Sequence, residues 1–182
     1  MKSIFLLLLS LVSVQVVRSQ EKLPFGPGAV VYVVRHAEKE KGADPLLTEE
    51  GNKRAGDLMR ALQNQKIKRI YVTQFKRTQN TADSLRLQLG IDTVHYMADT
   101  SCSSLFAAIA KNGDWNVPIL IITHSNIIPK ILYKLGITDF PQQIIPETEF
   151  DNLYKVSFPY KKAALAHTQY GKLSSGSAPM AP

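Results

Sequence analysis

Ala29-Val30-Val31-Tyr32-Val33-Val34-Arg35-His36 is an apolar run that stops on a guanidinium and an imidazole. Runs this continuous, rich in β-branched residues, are what a strand buried on both faces requires, and such strands belong to parallel sheets covered by helices. Two further runs of the same kind follow. Ile119-Leu120-Ile121-Ile122-Thr123 ends in His124, and Ile70-Tyr71-Val72 leads to Arg77 at the start of a helical segment. Ligands of open α/β sheets bind at the carboxyl ends of the strands, so two arginines and two histidines are expected at one edge.

Working outward from that strand, helical and extended patterns alternate along the chain. Thr48 is an expected N-cap, with Glu49 and Glu50 in the first turn and Ala55, Leu58, Met59 and Leu62 at helical spacing up to about Asn64. Arg69 to Thr73 is a second strand. Thr81, Ala82, Leu85 and Leu89 mark a helix closed by Gly90, and Thr93 to Met97 is a short third strand. Leu105, Phe106 and Ile109 lie on a helix stopped by Asn112-Gly113, before the strand Val117 to Thr123. Ile127, Ile128, Ile131, Leu132 and Leu135 recur at helical spacing, with Pro129 in the first turn and Gly136 as the stop. After a polar, proline-rich loop from Pro141 to Thr148, Leu153 to Phe158 and Ala163 to Tyr170 are expected to close the sheet as an edge hairpin joined through Pro159-Tyr160. The fold class expected is α/β, a three-layer αβα sandwich with a mainly parallel central sheet.

The ends of the chain have a different composition. Lys2, the apolar stretch Ile4 to Leu11 and Val17-Arg18-Ser19 before Gln20 form the pattern of an export signal over residues 1–19, too short to span a bilayer. A periplasmic or secreted protein without stable membrane insertion is therefore expected. Removal of that segment, which carries Lys2 and Arg18 and no acid, lowers the formal charge from +7 to +5. About 160 residues then remain, enough for a single domain over residues 20–170. Residues 171–182, rich in Ser, Gly, Ala and Pro, are expected to be a disordered tail. Cys102 is the sole cysteine, which excludes an intramolecular disulfide, and no Cys-x5-Arg pattern follows it. The basic excess favours anionic ligands, but the bases are scattered and not interleaved with aromatics, so nucleic acid is not an expected partner.

The four strand-end residues form a chemically coherent set. Guanidiniums at Arg35 and Arg77 supply forked donors to phosphate oxygens, each with roughly 4 kcal/mol of raw attraction at 4 Å in a partly screened site. A neutral imidazole at His36 is able to attack phosphorus, and a second at His124 to donate to the oxygens that carry the transition-state charge. The nucleophile must be unprotonated, and neighbouring guanidiniums help by disfavouring the imidazolium. A leaving alcohol also needs a proton, hence a carboxylic acid near the pocket. No short ligand spacing links His36, His95, His124 and His167, and the arginines already supply positive charge, so neither a metal nor another cofactor is expected.

Three pieces, Val34-Arg35-His36-Ala37-Glu38, Gln74-Phe75-Lys76-Arg77-Thr78-Gln79-Asn80-Thr81-Ala82 and Ile122-Thr123-His124-Ser125-Asn126, resemble in order and spacing the histidine phosphatase superfamily that includes phosphoglycerate mutases. Pro129, Leu46-Leu47-Thr48-Glu49-Glu50-Gly51 and Asp151-Asn152-Leu153-Tyr154 add similarity to its small exported bacterial members. The resemblance implies a phosphohistidine at His36, phosphate clamps at Arg35 and Arg77, and His124 as the second histidine of the pocket. Ala37 departs from the commoner glycine after the nucleophile. For the acid, Asp99 fits best by position, with a plain loop or capping role at even odds. Glu38 is the alternative, and it is equally suited to holding an arginine in place.

The implied enzyme is an exported, metal-independent phosphomonoesterase acting on a phosphorylated small molecule or peptide. Fewer than fifty residues separate Arg77 from His124, too few for a large helical insert over the site, so an open pocket is expected. Its rivals are a phosphohistidine protein phosphatase, a mutase-like enzyme, and a non-catalytic phosphate-binding protein.

Overall fold

The computed structural model describes residues 25–159 and 162–177; the expected signal at 1–19 lies outside them. Six strands form one sheet in the order β3-β2-β4-β1-β5-β6. The strands are β1 (Val30–Arg35), β2 (Arg69–Thr73), β3 (Thr93–Tyr96), β4 (Pro118–Thr123), β5 (Asn152–Ser157) and β6 (Ala164–Gln169). The first four are mutually parallel, and β5 and β6 are the antiparallel edge hairpin. This is the α/β architecture expected, with a mainly parallel sheet.

The helices are α1 (Glu49–Leu62), α2 (Lys76–Leu89), α3 (Ser103–Asn112) and α4 (Ile128–Lys134). Alternate residues of each strand feed two cores. Tyr32, Val34, Ile70, Val72, Leu120 and Ile122 pack with Leu58 and Leu62 of α1 and Leu85 of α2. Val31, Val33, Tyr71, Ile119 and Ile121 pack on the opposite face with Leu105 and Ile109 of α3 and Ile128, Ile131 and Leu132 of α4. Burial on both faces is why these strands read as continuous apolar runs.

Local signals act where they stand. The Thr48 hydroxyl accepts from the Gly51 N–H at 3.0 Å and caps α1. Gly51 itself lies so close to the Glu38 carbonyl that an added Cβ would come within 2.0 Å of its oxygen. Gly90 and Gly113 end α2 and α3 at φ of 63° and 69°, where an L side chain is strained. A single 3₁₀ turn at Asp114–Asn116 was not legible in the periodicity. There the buried Asp114 carboxylate accepts from the Tyr71 hydroxyl at 2.7 Å and Arg69 Nε at 3.0 Å.

The expectation of a disordered tail needs correction for residues 171–177. The Ser174 hydroxyl accepts from the Phe150 N–H at 2.9 Å, while the Ser174 N–H and the Ser177 hydroxyl donate to Asp151, whose side chain is buried. The Lys172 carbonyl accepts from Arg54 at 3.0 Å. The tail has little apolar surface to bury, but it satisfies a buried carboxylate and a buried guanidinium.

Candidate active site

Arg35 ends β1 and Thr123 ends β4 as register partners in adjacent strands, so the next residue of each, His36 and His124, meet at the same edge. The His36 N–H extends the ladder to the Thr123 carbonyl at 2.9 Å. The two rings lie 5.4 Å apart, centroid to centroid, in an edge-to-face arrangement. Arg77 arrives from the first turn of α2. That helix is tied to the loop after His36 by Thr81, whose hydroxyl accepts from the Ala37 N–H at 2.9 Å and donates to the Arg77 carbonyl at 2.7 Å. Arg35, His36, Arg77 and His124 thereby line one open cavity of about 350 Å³, with Lys39, Phe75, Ser125, Asn126 and Glu147 among the other lining residues.

His36 Nδ1 lies 2.8 Å from the Ala37 carbonyl. A carbonyl only accepts, so Nδ1 carries the proton and Nε2 keeps its lone pair. Burial, reinforced by Arg35, His124 and Arg77, pushes the His36 pKa down to about 3. Burial, then Arg77 and Arg35, brings His124 to about 4. Both imidazoles are neutral at pH 7. His124 Nε2 is oriented by the Thr73 hydroxyl at 3.1 Å, which in turn meets the Thr78 hydroxyl at 2.9 Å.

Each guanidinium is backed by an aromatic ring. Arg35 lies 4.2 Å from the centroid of Phe150 and Arg77 4.2 Å from that of Phe75. Such stacking fixes the plane of the fork without consuming its donors. Among the described residues the buried Nε atoms of Arg35 and Arg77 have no hydrogen-bond acceptor. Orphaned cationic donors inside a cleft are a site for an oxyanion. Burial lowers the pKa of both guanidiniums, Glu147 pulling Arg35 back up and Asp44 acting likewise on Arg77.

Neither carboxylate considered from the sequence lines this cavity. Asp99 makes the capping contacts that were the alternative to an acid role. Its Oδ1 accepts from the Ser103 N–H and its Oδ2 from the Ser104 N–H, both at 3.2 Å, at the start of α3. The Ser101 hydroxyl also donates to it, and these bonds hold its carboxyl below the usual carboxylate range. Glu38 is engaged by both of its oxygens with Arg54 Nε at 2.8 and 2.9 Å, and Arg54 is buried. Cys102 is buried at a φ of 60°, and burial raises its thiol to about 11. His95 stands on β3 and His167 on β6, the latter 2.8 Å from the Asn152 side-chain oxygen.

The carboxylate present at the cavity is Glu147, in the loop before β5. It pairs with the Arg35 guanidinium and accepts from the Ser125 hydroxyl at 2.6 Å. Arg35 also donates to the Pro146 and Glu149 carbonyls at 3.0 and 3.2 Å, and the Ile145 N–H donates to the Ser125 carbonyl at 3.1 Å. Sequence reasoning missed Glu147 because the segment has neither helical nor strand periodicity to place it; the one local hint was its position in a proline-rich loop.

Residues 31–100 match the family model described as histidine phosphatase superfamily (branch 1). Among solved structures, the protein histidine phosphatase SixA complexed with tungstate is similar at 19% identity, over 77% of this chain and 96% of that one, with a TM-score of 0.55. A mycobacterial glucosyl-3-phosphoglycerate phosphatase bound to inorganic phosphate shares 12% identity over 79% of this chain and 97% of its own, at 0.56. The α-ribazole phosphatase from Shigella flexneri shares 14%, over 77% and 96%, at 0.55. These similarities show the fold. No curated protein sequence matches the chain.

Proposed function

We propose that this chain, whose residues 31–100 match the histidine phosphatase superfamily (branch 1) model, is an exported, metal-independent phosphatase hydrolysing phosphomonoesters through a phosphohistidine at His36. The family-model match and the likeness in fold to solved phosphatases support phosphatase chemistry; the substrate class, the compartment and the residue roles are the content of the proposal. The observation that carries it is the pairing of a neutral His36, its Nδ1 bound to the Ala37 carbonyl, with two guanidiniums, Arg35 buried and Arg77 half-buried, whose buried Nε atoms lack an acceptor among the described residues.

In this reading Arg35 and Arg77 hold the phosphoryl oxygens, and His36 Nε2 attacks phosphorus in line. His124 is placed to donate to an equatorial oxygen as charge develops. Two guanidiniums and Lys39 supply the positive charge that the dianion needs. The open cavity, with no insert between Arg77 and His124, favours a small or peptide-borne phosphate over a tightly enclosed mutase intermediate. A phosphohistidine substrate is a second reading. It is favoured by the same openness and by the likeness to the protein histidine phosphatase SixA.

The test is an assay of the protein lacking residues 1–19 with p-nitrophenyl phosphate in the presence of EDTA, together with trapping of acid-labile phosphate. Turnover lost in His36→Ala, with label on His36 in the wild type, is the expected result. Undiminished turnover in that variant refutes the assignment. Recovery of the mature N-terminus from the periplasm or medium tests export.

A further inference from the structure

The phosphohistidine reaction still lacks a proton for the leaving oxygen, and one carboxylate lies at the cavity on the wrong partner for that task. We propose that Glu147 is the proton donor, held on Arg35 in the free enzyme and freed when the substrate's phosphoryl group takes its place. The proposal rests on the phosphatase reading above and adds the residue that acts on the leaving group.

Position comes first. His36 and the Arg35 side chain are almost fully buried, whereas the Glu147 side chain is 73% exposed at the mouth. In-line attack from His36 places the leaving oxygen on the side away from the buried histidine, towards the mouth. Among the described residues lining the cavity Glu147 is the only carboxylate. The sequence candidates are committed elsewhere, Asp99 to the start of α3 and Glu38 to Arg54.

Chemistry follows from exchange of anions. A carboxylate and a phosphate oxygen compete for the same guanidinium. The charged or titratable groups facing Glu147 are Arg35 from β1, Lys39 after it, Arg77 from α2 and His124 after β4. Burial works to raise the Glu147 carboxyl, but the Ser125 hydroxyl and Arg35 outweigh it and keep the group ionised. A dianion bound between Arg35 and Arg77 removes the guanidinium from Glu147 and puts negative charge beside it, and both changes favour uptake of a proton from solvent.

The step then balances. His36 Nε2 forms its bond to phosphorus as the ester P–O bond breaks, and the Glu147 carboxyl passes its proton to the departing oxygen. The resulting carboxylate takes a proton from a water whose oxygen attacks phosphorus. The N–P bond breaks with its electron pair returning to Nε2, leaving alcohol, inorganic phosphate and a protonated Glu147.

The experiment compares wild type and Glu147→Gln, which keeps a carbonyl oxygen for Arg35 and Ser125, on p-nitrophenyl phosphate and glycerol 2-phosphate. p-Nitrophenolate departs without a proton and an alkoxide does not. The expected loss in kcat is therefore about 10²–10⁴-fold with glycerol 2-phosphate, and far smaller with the aryl ester. Equal loss on both esters overturns the proposal, as does a lower KM with unchanged kcat on both, which is the mark of a mere competitor for Arg35. If the variant fails to fold, the wild type decides: phosphorylation rates across aryl and alkyl phosphates should depend shallowly on leaving-group pKa, and a steep dependence overturns the role. Absence of turnover and of label on His36 in wild type would instead refute the phosphatase reading, and this proposal with it.

Discussion

Acid should unfold this protein through the two buried histidines of its cavity, and the size of the effect follows from their burial. His36 and His124 are held neutral in the folded state, with pKa values of about 3 and 4. In the unfolded chain each titrates near 6.5. Folded pKa values lower than unfolded ones mean that, as pH falls below 6.5, the unfolded state binds protons that the folded state refuses. Stability is thus lost on acidification through the window between 6.5 and the folded values. Between pH 7 and pH 5 the loss comes to about 2 kcal/mol for each histidine, or about 4 kcal/mol for the pair. Urea denaturation of wild type and of the double variant His36→Asn/His124→Asn at both pH values isolates this contribution, because other titrating groups are common to the two proteins. Wild type is expected to lose about 4 kcal/mol more than the variant over that range. Parallel pH dependence in the two proteins would refute the claim that the imidazoles are held neutral.

Two substitutions separate scaffold from chemistry at the carboxylates suggested by the sequence. Asp99→Ala removes the acceptor for the Ser103 and Ser104 N–H groups at the start of α3. It should cost about 1 kcal/mol in chemical denaturation while kcat on an alkyl phosphate changes less than about twofold; a hundredfold fall in kcat would restore Asp99 as the acid. Glu38→Gln leaves the buried Arg54 without its counter-charge. A loss of about 3–5 kcal/mol is expected in the same assay, and a change within 1 kcal/mol would show the pair to be dispensable.

Much of the scaffold was legible locally. Continuous apolar runs marked the strands, Thr48 and the glycines at 90 and 113 bounded helices, and hairpin signals placed β5 and β6 at an edge. Each of these depends on a residue and its near neighbours, so periodicity and turn chemistry suffice to read it. The docking of residues 171–177 was not legible, because its cause is a buried carboxylate at Asp151 and a buried guanidinium at Arg54 far back in the chain. Composition speaks only of the tail itself.

By itself the sequence determined which residues end strands β1 and β4, and hence that Arg35, His36 and His124 stand at a sheet edge. Tertiary structure decided that β1 and β4 are neighbours, which sets the two imidazoles against one another. It also decided which carboxylate reaches them. Asp99 is near the site in sequence order but is consumed by local N–H groups within five residues of it. Glu147 lies 112 residues beyond Arg35 and is brought to it by a loop anchored at Ile145 and Pro146. Strand character is a property of consecutive side chains, whereas the partner of a buried guanidinium depends on which distant backbone packing delivers to it.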